Sequence, residues 1–416
     1  MFEREPKEPE SQSWGYAIFW AGLTFVTVPF VRDGVDLVIE HWGGGFFTYG
    51  VMLCAVLALA AALYVTRQKW TIGSFVSLIS LAVLVIYLSF DLATGSPVEA
   101  VHYVQYGTLS FLLFRAFSHR IRDYSIYAAV TIVGTLAGMI DETIQWLTPD
   151  RHFDLRDVWL NFKATALVQI GLAAGIRPSL ISGSPGLESV KRICYLGAVT
   201  LGYFGLCLQN TPDRVSWYSV VVPGLAWIDP NENIMVEYGH LHGDWSTVYF
   251  RSRLTLAEMR DAAAALAEQR APNFDHYHDR EVHEEFWDIY SRFEFPYRYE
   301  ARIHQLRRDL NLKLAASNDA EDQQVRYLSA AYWENRILKE YFDPFLRGSR
   351  YELSAEQEGE VRKRANINKP YESKFSQHLI VGYSSRQLAY LFSCAVLVLV
   401  LGGYLCKRAS RQKGAP

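Results

Sequence analysis

Ionisable side chains lie inside two neighbouring apolar runs of the chain, where each would be costly if the run crossed a membrane. His102 and Tyr106 are four residues apart, so a helix places them on one face. Asp141 and Gln145 share a face of the next run in the same way, with Glu142 beside Asp141. A carboxylate and an imidazole can each exchange a proton near neutral pH, so this set could perform acid/base chemistry or hold a polar ligand.

A third run begins with polar residues of the same kind. Arg151 follows a turn at Pro149, and Asp154, Asp157 and Asn161 are spaced i, i+3, i+7, which places them on one face of the next helix. Asp154 also stands where a helix N-cap is expected. Three separate segments therefore supply the polar side chains of one predicted site.

The residue types allow several kinds of site. Glu142 or Asp141 could act as an acid/base with His102 as its partner. The set could instead bind a lipid headgroup or a sugar-phosphate, or form a structural ion-pair network. A divalent metal held by carboxylates and one imidazole is a further alternative, although no H-E-x-x-H or Cys/His spacing supports it. The predicted binding residues are Tyr106, Gln145, Arg151, Asp154, Asp157 and Asn161.

Helices that cross a membrane must position these residues. The chain has apolar runs about as long as the ~20 residues that span a bilayer core. The candidate spans are 14–31, 46–66, 73–93, 99–117, 124–146, 158–176, 193–209 and 387–406. Gly134, Ala137 and Gly138 precede Asp141 by one to two turns, and such small residues let a neighbouring helix pack closely. The predicted fold is an all-α polytopic membrane protein of about eight spans with an α-rich (α+β) extracytoplasmic domain.

Basic residues predict the orientation of the spans. They concentrate in connections that lie on the side of the N-terminus and in the tail after 406, which favours a cytoplasmic N- and C-terminus in a bacterial inner membrane. The predicted parts are a cytoplasmic segment 1–13, a seven-helix membrane domain 14–209, an extracytoplasmic domain 210–386, a last span 387–406 and a basic tail 407–416. The polar residues of all three runs then fall at one depth, on the extracytoplasmic face.

The complete pattern is His102-x-x-x-Tyr106, then Asp141-Glu142-x-x-Gln145-x5-Arg151-x-x-Asp154-x-x-Asp157-x-x-x-Asn161. It resembles the signature of the VanZ-like family of bacterial integral membrane proteins over roughly 75–180. Gln105 departs from the acidic residue usual there, and Ala164, next to Lys163, stands where the family often has Gly. The resemblance implies a role in the cell envelope at the outer leaflet. The family's namesake, a teicoplanin-resistance protein, implies an effect on glycopeptide susceptibility.

The polar block 210–386 is predicted to fold by itself. Residues 216–227 and 233–250 are rich in β-branched and aromatic side chains and predict short strands, whereas 297–316 and 319–345 have helical spacing. The sequences starting at Thr255 and Ser354 match capping boxes. The histidines offer two weak metal candidates: His240, His242 and Asp244 form one, and Asp275, His276, His278, Asp279 and His283 form the other.

Composition excludes several classes of protein. The formal net charge of -3 gives no reason to expect a nucleic-acid partner. All five cysteines lie in or at the ends of apolar runs, so the polar block has no disulfide framework. No G-x-S-x-G, P-loop or G-x-G-x-x-G is present. The sequence thus favours an envelope protein that binds membrane lipids or lipid-linked precursors. The alternatives are a membrane-embedded acid/base enzyme and an anchor that presents 210–386 to a protein partner.

Overall fold

A computed structural model describes residues 8–93, 96–148, 151–228, 233–268, 275, 286–287 and 289–413, most of them helical. The chain divides into two compact units. The apolar unit comprises Met1–Leu208 and Ala389–Pro416, and the polar domain comprises Gln209–Leu388. These bounds lie within two residues of the predicted limits of 210–386.

The apolar unit is a bundle of helices. Its helices are α1 Glu10–Thr27, α2 Val31–Trp42, α3 Gly45–Thr66, α4 Ile72–Ala93, α5 Val101–Phe117, α6 Ser125–Trp146, α7 Leu155–Ile170 and α8 Leu187–Cys207. A 3₁₀ turn, Val28–Phe30, joins α1 to α2, and a π-helical segment, Gly171–Ile176, continues α7. Most of the last helix of the chain, Ser385–Lys413, also belongs to this unit.

Five helical stretches in the described residues are long and apolar enough to cross a membrane, and a sixth qualifies if the bent pair of α8 and the helix after it counts as one span. The five are Glu10–Trp42, Gly45–Thr66, Ile72–Ala93, Ser125–Trp146 and Ser385–Gln412. On α3 the side chains of Tyr49, Leu53 and Leu57 are more than half exposed in the unit. Surfaces of this kind need a lipid environment, which indicates a multi-pass membrane protein.

The structure therefore supports five or six spans by length and composition, where the sequence predicted eight. The predicted spans 99–117 and 158–176 form α5 and α7, but these helices have only 17 and 16 residues. Both carry polar residues because they lie inside the bundle, where protein rather than lipid surrounds them. Tyr106 and Phe114 of α5, for example, are 1% and 2% exposed.

Two segments are helical where the sequence did not predict a helix. Residues 32–42, which lie between two predicted spans, belong to α2, because Val35, Val38 and Ile39 recur at helical spacing between charged residues. Of residues 216–227, expected to be strands, the first half belongs to a helix, Pro212–Val221, and a 3₁₀ turn, Pro223–Leu225, follows. Proline is well suited to the first turn of a helix, and this local signal outweighs the strand preference of valine.

Ion pairs show which helix ends lie together in the apolar unit. Arg115, at the end of α5, pairs with Glu8, and Arg120 pairs with Glu10 at the start of α1 at 2.5 Å. At the opposite end of α5 lies His102. The polar residues of the predicted site and these basic residues therefore occupy opposite ends of the bundle.

The polar domain combines helices with a small sheet. Its helices are α9 Pro212–Val221, α10 Leu256–Glu268, α11 Pro296–Ser317, α12 Glu321–Tyr341, α13 Asp343–Leu346 and α14 Ala355–Arg364, and the last helix, α15 Ser385–Lys413, follows. Strands β1 His240–Gly243 and β2 Val248–Ser252 are antiparallel, and β3 Tyr371–Glu372 runs parallel to β2. Helices α11 and α12 confirm the predicted helical spacing. Both capping boxes form, at Thr255 with Glu258 and at Ser354 with Gln357.

A buried ionic network holds α11 and α12 to the sheet. Glu334 is fully buried and accepts from Tyr371 at 2.7 Å and Ser373 at 2.8 Å, while His304 Nδ1 and Arg307 Nε lie at 2.6 and 3.1 Å. Burial alone would raise the pKa of Glu334, but the charges and hydrogen bonds of these neighbours lower it to about 2. The domain core is thus fixed by a paired charge as well as by apolar contacts.

Candidate functional site

Glycines of α6 bring α7 close to it. A Cβ added at Gly138 would lie 2.7 Å from Cβ of Asn161, and one at Gly134 would lie 2.6 Å from Cγ2 of Thr165. Both distances are far below a carbon–carbon van der Waals contact of about 3.5–4.0 Å. The close packing predicted from the small residues of this helix is confirmed, and it places Asn161 against the α6 backbone.

The end of α6 is tied to the segment that leads into α7. Glu142 is fully buried, and both of its oxygens accept hydrogen bonds: Oε1 from Gln145 Nε2 at 2.9 Å and Oε2 from the backbone N–H of Asp154 at 3.2 Å. Arg151 Nη2 donates to Oε1 of Gln145 at 2.5 Å. Glu142 therefore has a satisfied, structural environment.

His102 connects α5 to α7. Its Nδ1 lies 2.7 Å from Oδ1 of Asn161, and its Nε2 lies 3.9 Å from Oδ2 of Asp157. The ring stacks on Tyr106 with centroids 6.2 Å apart and planes 12° from parallel, as the spacing of four residues predicted. The imidazole thus lies between an amide and a carboxylate, an arrangement that can hold or transfer a proton.

The arginines of the site already have partners. Arg156 pairs with Glu99 at 2.5 Å and with Asp154 at 3.5 Å, and its backbone N–H donates to Asp154, which is the N-cap of α7 as predicted. The site nevertheless has more acidic than basic side chains. Its carboxylates are Glu99, Asp141, Glu142, Asp154 and Asp157, against Arg151, Arg156 and the imidazole of His102.

Four buried polar atoms of the site have no hydrogen-bond partner among the described residues: Tyr106 Oη, Asp141 Oδ1, Asp157 Oδ1 and Asn161 Nδ2. They come from three helices. The Tyr106 hydroxyl lies beside the Asp141 carboxylate and interacts with it, although the pair misses the geometry of a full hydrogen bond, and Tyr106 is also within electrostatic reach of Asp157. We call these four residues, together with His102, the polar cluster.

Polar residues deeper in the bundle extend the cluster, and the sequence reasoning missed them. Thr165 and Gln169 continue the spacing of four from Asp157 and Asn161 along α7, which is the signal that could have found them. Ser110 Oγ on α5 donates to the backbone oxygen of Thr165 at 2.9 Å, and Gln169 Nε2 donates to Ser110 Oγ at 2.8 Å. This polar stripe joins α5 and α7 along their length.

An apolar cavity of about 490 Å³ adjoins the same two helices on another face. Its walls come from α3, α4, α5, α7 and the π-helical segment, and include Cys54, Leu81, Tyr103, Gly107 and Ala164. On α5, Tyr103 and Gly107 line this cavity, while the neighbouring residues His102 and Tyr106 belong to the polar cluster. Its volume lies in the ~300–1,000 Å³ range of small-ligand sites.

The predicted metal groups of the polar domain do not assemble in the described residues, where no three His, Cys, Asp or Glu side chains are placed to hold an ion. His242 is largely buried, with Nε2 2.7 Å from the backbone oxygen of Leu254, while Asp244 lies beyond the end of β1 and accepts from the Ser246 N–H. Asp244 therefore lies outside the strand that carries His240 and His242, because β1 ends at Gly243 with φ 91°. His276, His278, Asp279 and His283 lie outside the described residues.

In comparisons with protein-family models, with curated proteins and with solved structures, nothing matched this chain. The resemblance to the VanZ-like family therefore depends on the residues between His102 and Asn161 alone.

Proposed function

We propose that the polar cluster binds the hydroxyl-bearing headgroup of a membrane lipid, such as a glycosylated envelope lipid. The observation that carries the proposal is the set of four buried polar atoms without partners among the described residues. An unsatisfied buried donor or acceptor costs about 1–3 kcal/mol. A bound group that pairs with all four would recover that cost.

The chemistry of the four atoms favours a hydroxyl group over an anion. Two are carboxylate oxygens that accept, the Asn161 amide donates, and the Tyr106 hydroxyl does both. A hydroxyl both donates and accepts, so a sugar can satisfy the whole set. An anion would face the excess of carboxylates, while Arg151 and Arg156 are already engaged.

The adjoining apolar cavity supports a lipid as the source of the headgroup. It lies along α5 and α7, the helices that carry His102, Tyr106, Asp157 and Asn161. A hydrocarbon chain in this cavity would lie against the two helices that carry most of the polar cluster. Buried CH₂ groups contribute about 0.8 kcal/mol each, so the chain would supply most of the affinity and the cluster the selectivity.

The cluster is proposed to face the outer leaflet of a bacterial inner membrane. It occupies the end of the bundle opposite Arg115 and Arg120, and basic residues collect on the cytoplasmic side. This position and the VanZ-like motif together suggest a role in the cell envelope that alters teicoplanin susceptibility.

A second candidate function is acid/base catalysis on the same lipid. The position of His102 between Asn161 and Asp157 favours it, since the amide orients the ring and the carboxylate can stabilise a protonated imidazole. Turnover of a lipid substrate by the purified protein, lost in His102→Gln, would establish this function. Binding without turnover would leave the first proposal standing alone.

The test of the proposed function is lipid binding by the full chain in phosphatidylcholine nanodiscs. Three probes with the same acyl chains are titrated: monoglucosyl diacylglycerol, diacylglycerol and phosphatidic acid. We expect the glucosyl lipid to bind most tightly. Tyr106→Phe removes only the unpartnered hydroxyl and should weaken that binding roughly threefold to tenfold.

Tyr49→Phe is the matched control, because Tyr49 is exposed on α3 and belongs to neither the cluster nor the cavity. It should bind the glucosyl lipid as the unchanged protein does. Tighter binding of phosphatidic acid than of the glucosyl lipid would contradict the proposal, as would an affinity that does not respond to Tyr106→Phe.

A further inference from the structure

A second cavity, of about 540 Å³, lies in the polar domain between α11, α12 and the segment that follows α14. Its lining is rich in cationic and aromatic side chains. The cationic ones are Arg307, Arg326, Lys369 and Lys374, the aromatic ones are Tyr327, Trp333 and Tyr371, and Asp322 is the acidic one. This lining differs from the side chains of the polar cluster in both charge and composition.

The positive charge of this cavity is not neutralised by the described residues. Arg307 pairs with the buried Glu334 at 3.1 Å, but Arg326, Lys369 and Lys374 take part in no ion pair within the described part of the chain. The surrounding domain is acidic: residues 210–386 contain 28 Asp and Glu against 23 Lys and Arg, a difference of -5. Cations therefore collect at one cavity of a domain that is otherwise negatively charged.

A buried donor in the wall lacks a partner as well. Trp333 is 3% exposed, and its indole Nε1 has no hydrogen-bond partner among the described residues. Indole N–H, ammonium and guanidinium groups all donate hydrogen bonds and cannot accept them. The polar atoms that distinguish this cavity therefore require an acceptor, and the aromatic rings beside them offer flat faces for stacking.

We propose that this cavity binds a small organic anion that carries a ring, with its phosphate or carboxylate among Arg326, Lys369 and Lys374 and its ring against Tyr327, Trp333 or Tyr371. The site is independent of the proposed lipid site, because it lies entirely within the polar domain. A phosphate offers several acceptor oxygens to the lysines, and a ring covers the apolar wall.

The test is calorimetric titration of the full chain in detergent with phenyl phosphate, inorganic phosphate and phenol. Phenyl phosphate should bind more tightly than either of its parts, and its affinity should fall as salt is added. Lys369→Gln/Lys374→Gln should weaken binding roughly tenfold or more. Trp333→Phe, which keeps the ring but removes the donor, should weaken it roughly threefold to tenfold.

The matched control is Arg260→Gln/Arg347→Gln, which removes two positive charges that do not line the cavity. It should leave the affinity for phenyl phosphate unchanged. The proposal is overturned if phenyl phosphate does not bind, if phenol binds equally well, or if both double variants weaken binding to the same extent. Equal affinity for inorganic and phenyl phosphate would overturn the role given to the aromatic wall. Equal melting temperatures of all variants show that each comparison concerns folded protein.

Discussion

Buried carboxylates of this protein differ in how their oxygens are satisfied. Glu334 in the polar domain has four side-chain neighbours that donate to it or carry positive charge, and Glu142 in the apolar unit has a donor for each oxygen. Asp141 and Asp157 each leave one buried oxygen without a partner among the described residues. The contacts of Glu334 and Glu142 are accounted for by the fold, whereas our proposal assigns the unpartnered oxygens of Asp141 and Asp157 to a bound ligand.

Asp141 and Glu142 should therefore respond oppositely to charge removal. Asp141→Asn should leave the melting temperature of the full chain in detergent unchanged or slightly higher, because it removes a charge that is buried and incompletely paired. Glu142→Gln places an N–H where an oxygen now accepts, and should lower the free energy of unfolding by about 1–3 kcal/mol. A larger loss of thermal stability in Asp141→Asn than in Glu142→Gln would show that Asp141 is the structural residue.

Glu334 predicts a pH dependence for the polar domain. Its pKa is lowered from the ordinary 4.5 to about 2, so its stabilising contribution is complete above pH 4.5 and is lost as the pH falls toward 2. That contribution is on the order of 3 kcal/mol. Glu334→Gln should therefore lower the melting temperature at pH 7 by about 6–12 °C, and the difference from the unchanged protein should shrink steadily below pH 4.5.

Tryptophan fluorescence during heating of the full chain measures this difference. Burial raises the pKa of Glu300, so this residue favours the folded state at low pH, opposite to Glu334. Because Glu300 is present in both proteins, it does not alter the comparison. Glu360→Gln, at an exposed position, is the control and should show no pH-dependent change. If the difference in melting temperature between Glu334→Gln and the unchanged protein stays constant from pH 7 to pH 3, the lowered pKa of Glu334 is contradicted.

At the scale of the helix, glycine spacing decides which elements meet. Gly134 and Gly138 on α6 face Thr165 and Asn161 on α7. Two residues four apart on one helix therefore pack against two residues four apart on the other. The polar residues are held at fixed positions because the backbones behind them are in close contact. This contact makes the polar cluster a property of the helix pair rather than of any one side chain.

Gly138→Ala should force these helices apart. Its Cβ would lie 2.7 Å from Asn161, and overpacking of this kind costs about 1–3 kcal/mol. We expect a lower melting temperature and, since Asn161 orients His102, weaker binding of the glucosyl lipid. Gly50→Ala on α3 is the control, because its Cβ meets nothing within 4 Å. Equal effects of the two variants would contradict the close packing.

Sequence could predict these elements where a local pattern decided the outcome. The spacing of His102 from Tyr106, the N-cap at Asp154 and the capping box at Ser354 depend on neighbours in the chain. The count of eight spans stays a prediction, since α5 and α7 are short and polar enough to need protein around them. The contact of Ser110 with Thr165 is tertiary, and the unpartnered atoms become visible only when every neighbour is in place.

At the scale of the whole molecule, charge and hydropathy predict a topology. Apolar helices cover Glu10–Trp42 and Ser385–Gln412, and basic residues follow the last helix. With an even number of spans, the positive-inside rule predicts both ends of the chain in the cytoplasm and the polar domain outside. The proposed lipid site and the proposed anion site would both be open to the extracytoplasmic side.

Cysteine labelling tests this topology in intact cells. In a variant whose five cysteines are replaced, Asn368→Cys in the polar domain should react with a membrane-impermeant maleimide. Arg411→Cys near the C-terminus should react only after the membrane is permeabilised. The reverse pattern would place the polar domain in the cytoplasm and would remove the argument for an outer-leaflet ligand.

The measurement that tests the central claim most directly is native mass spectrometry of the full chain released from bacterial membranes, comparing the unchanged protein with Asp141→Asn. The lipid-binding account predicts one glycosylated lipid bound per chain, retained by the unchanged protein and lost in Asp141→Asn at equal thermal stability. A protein that carries no lipid, or that carries the same phospholipids with and without the substitution, would contradict the claim that the polar cluster recognises a hydroxyl-bearing headgroup.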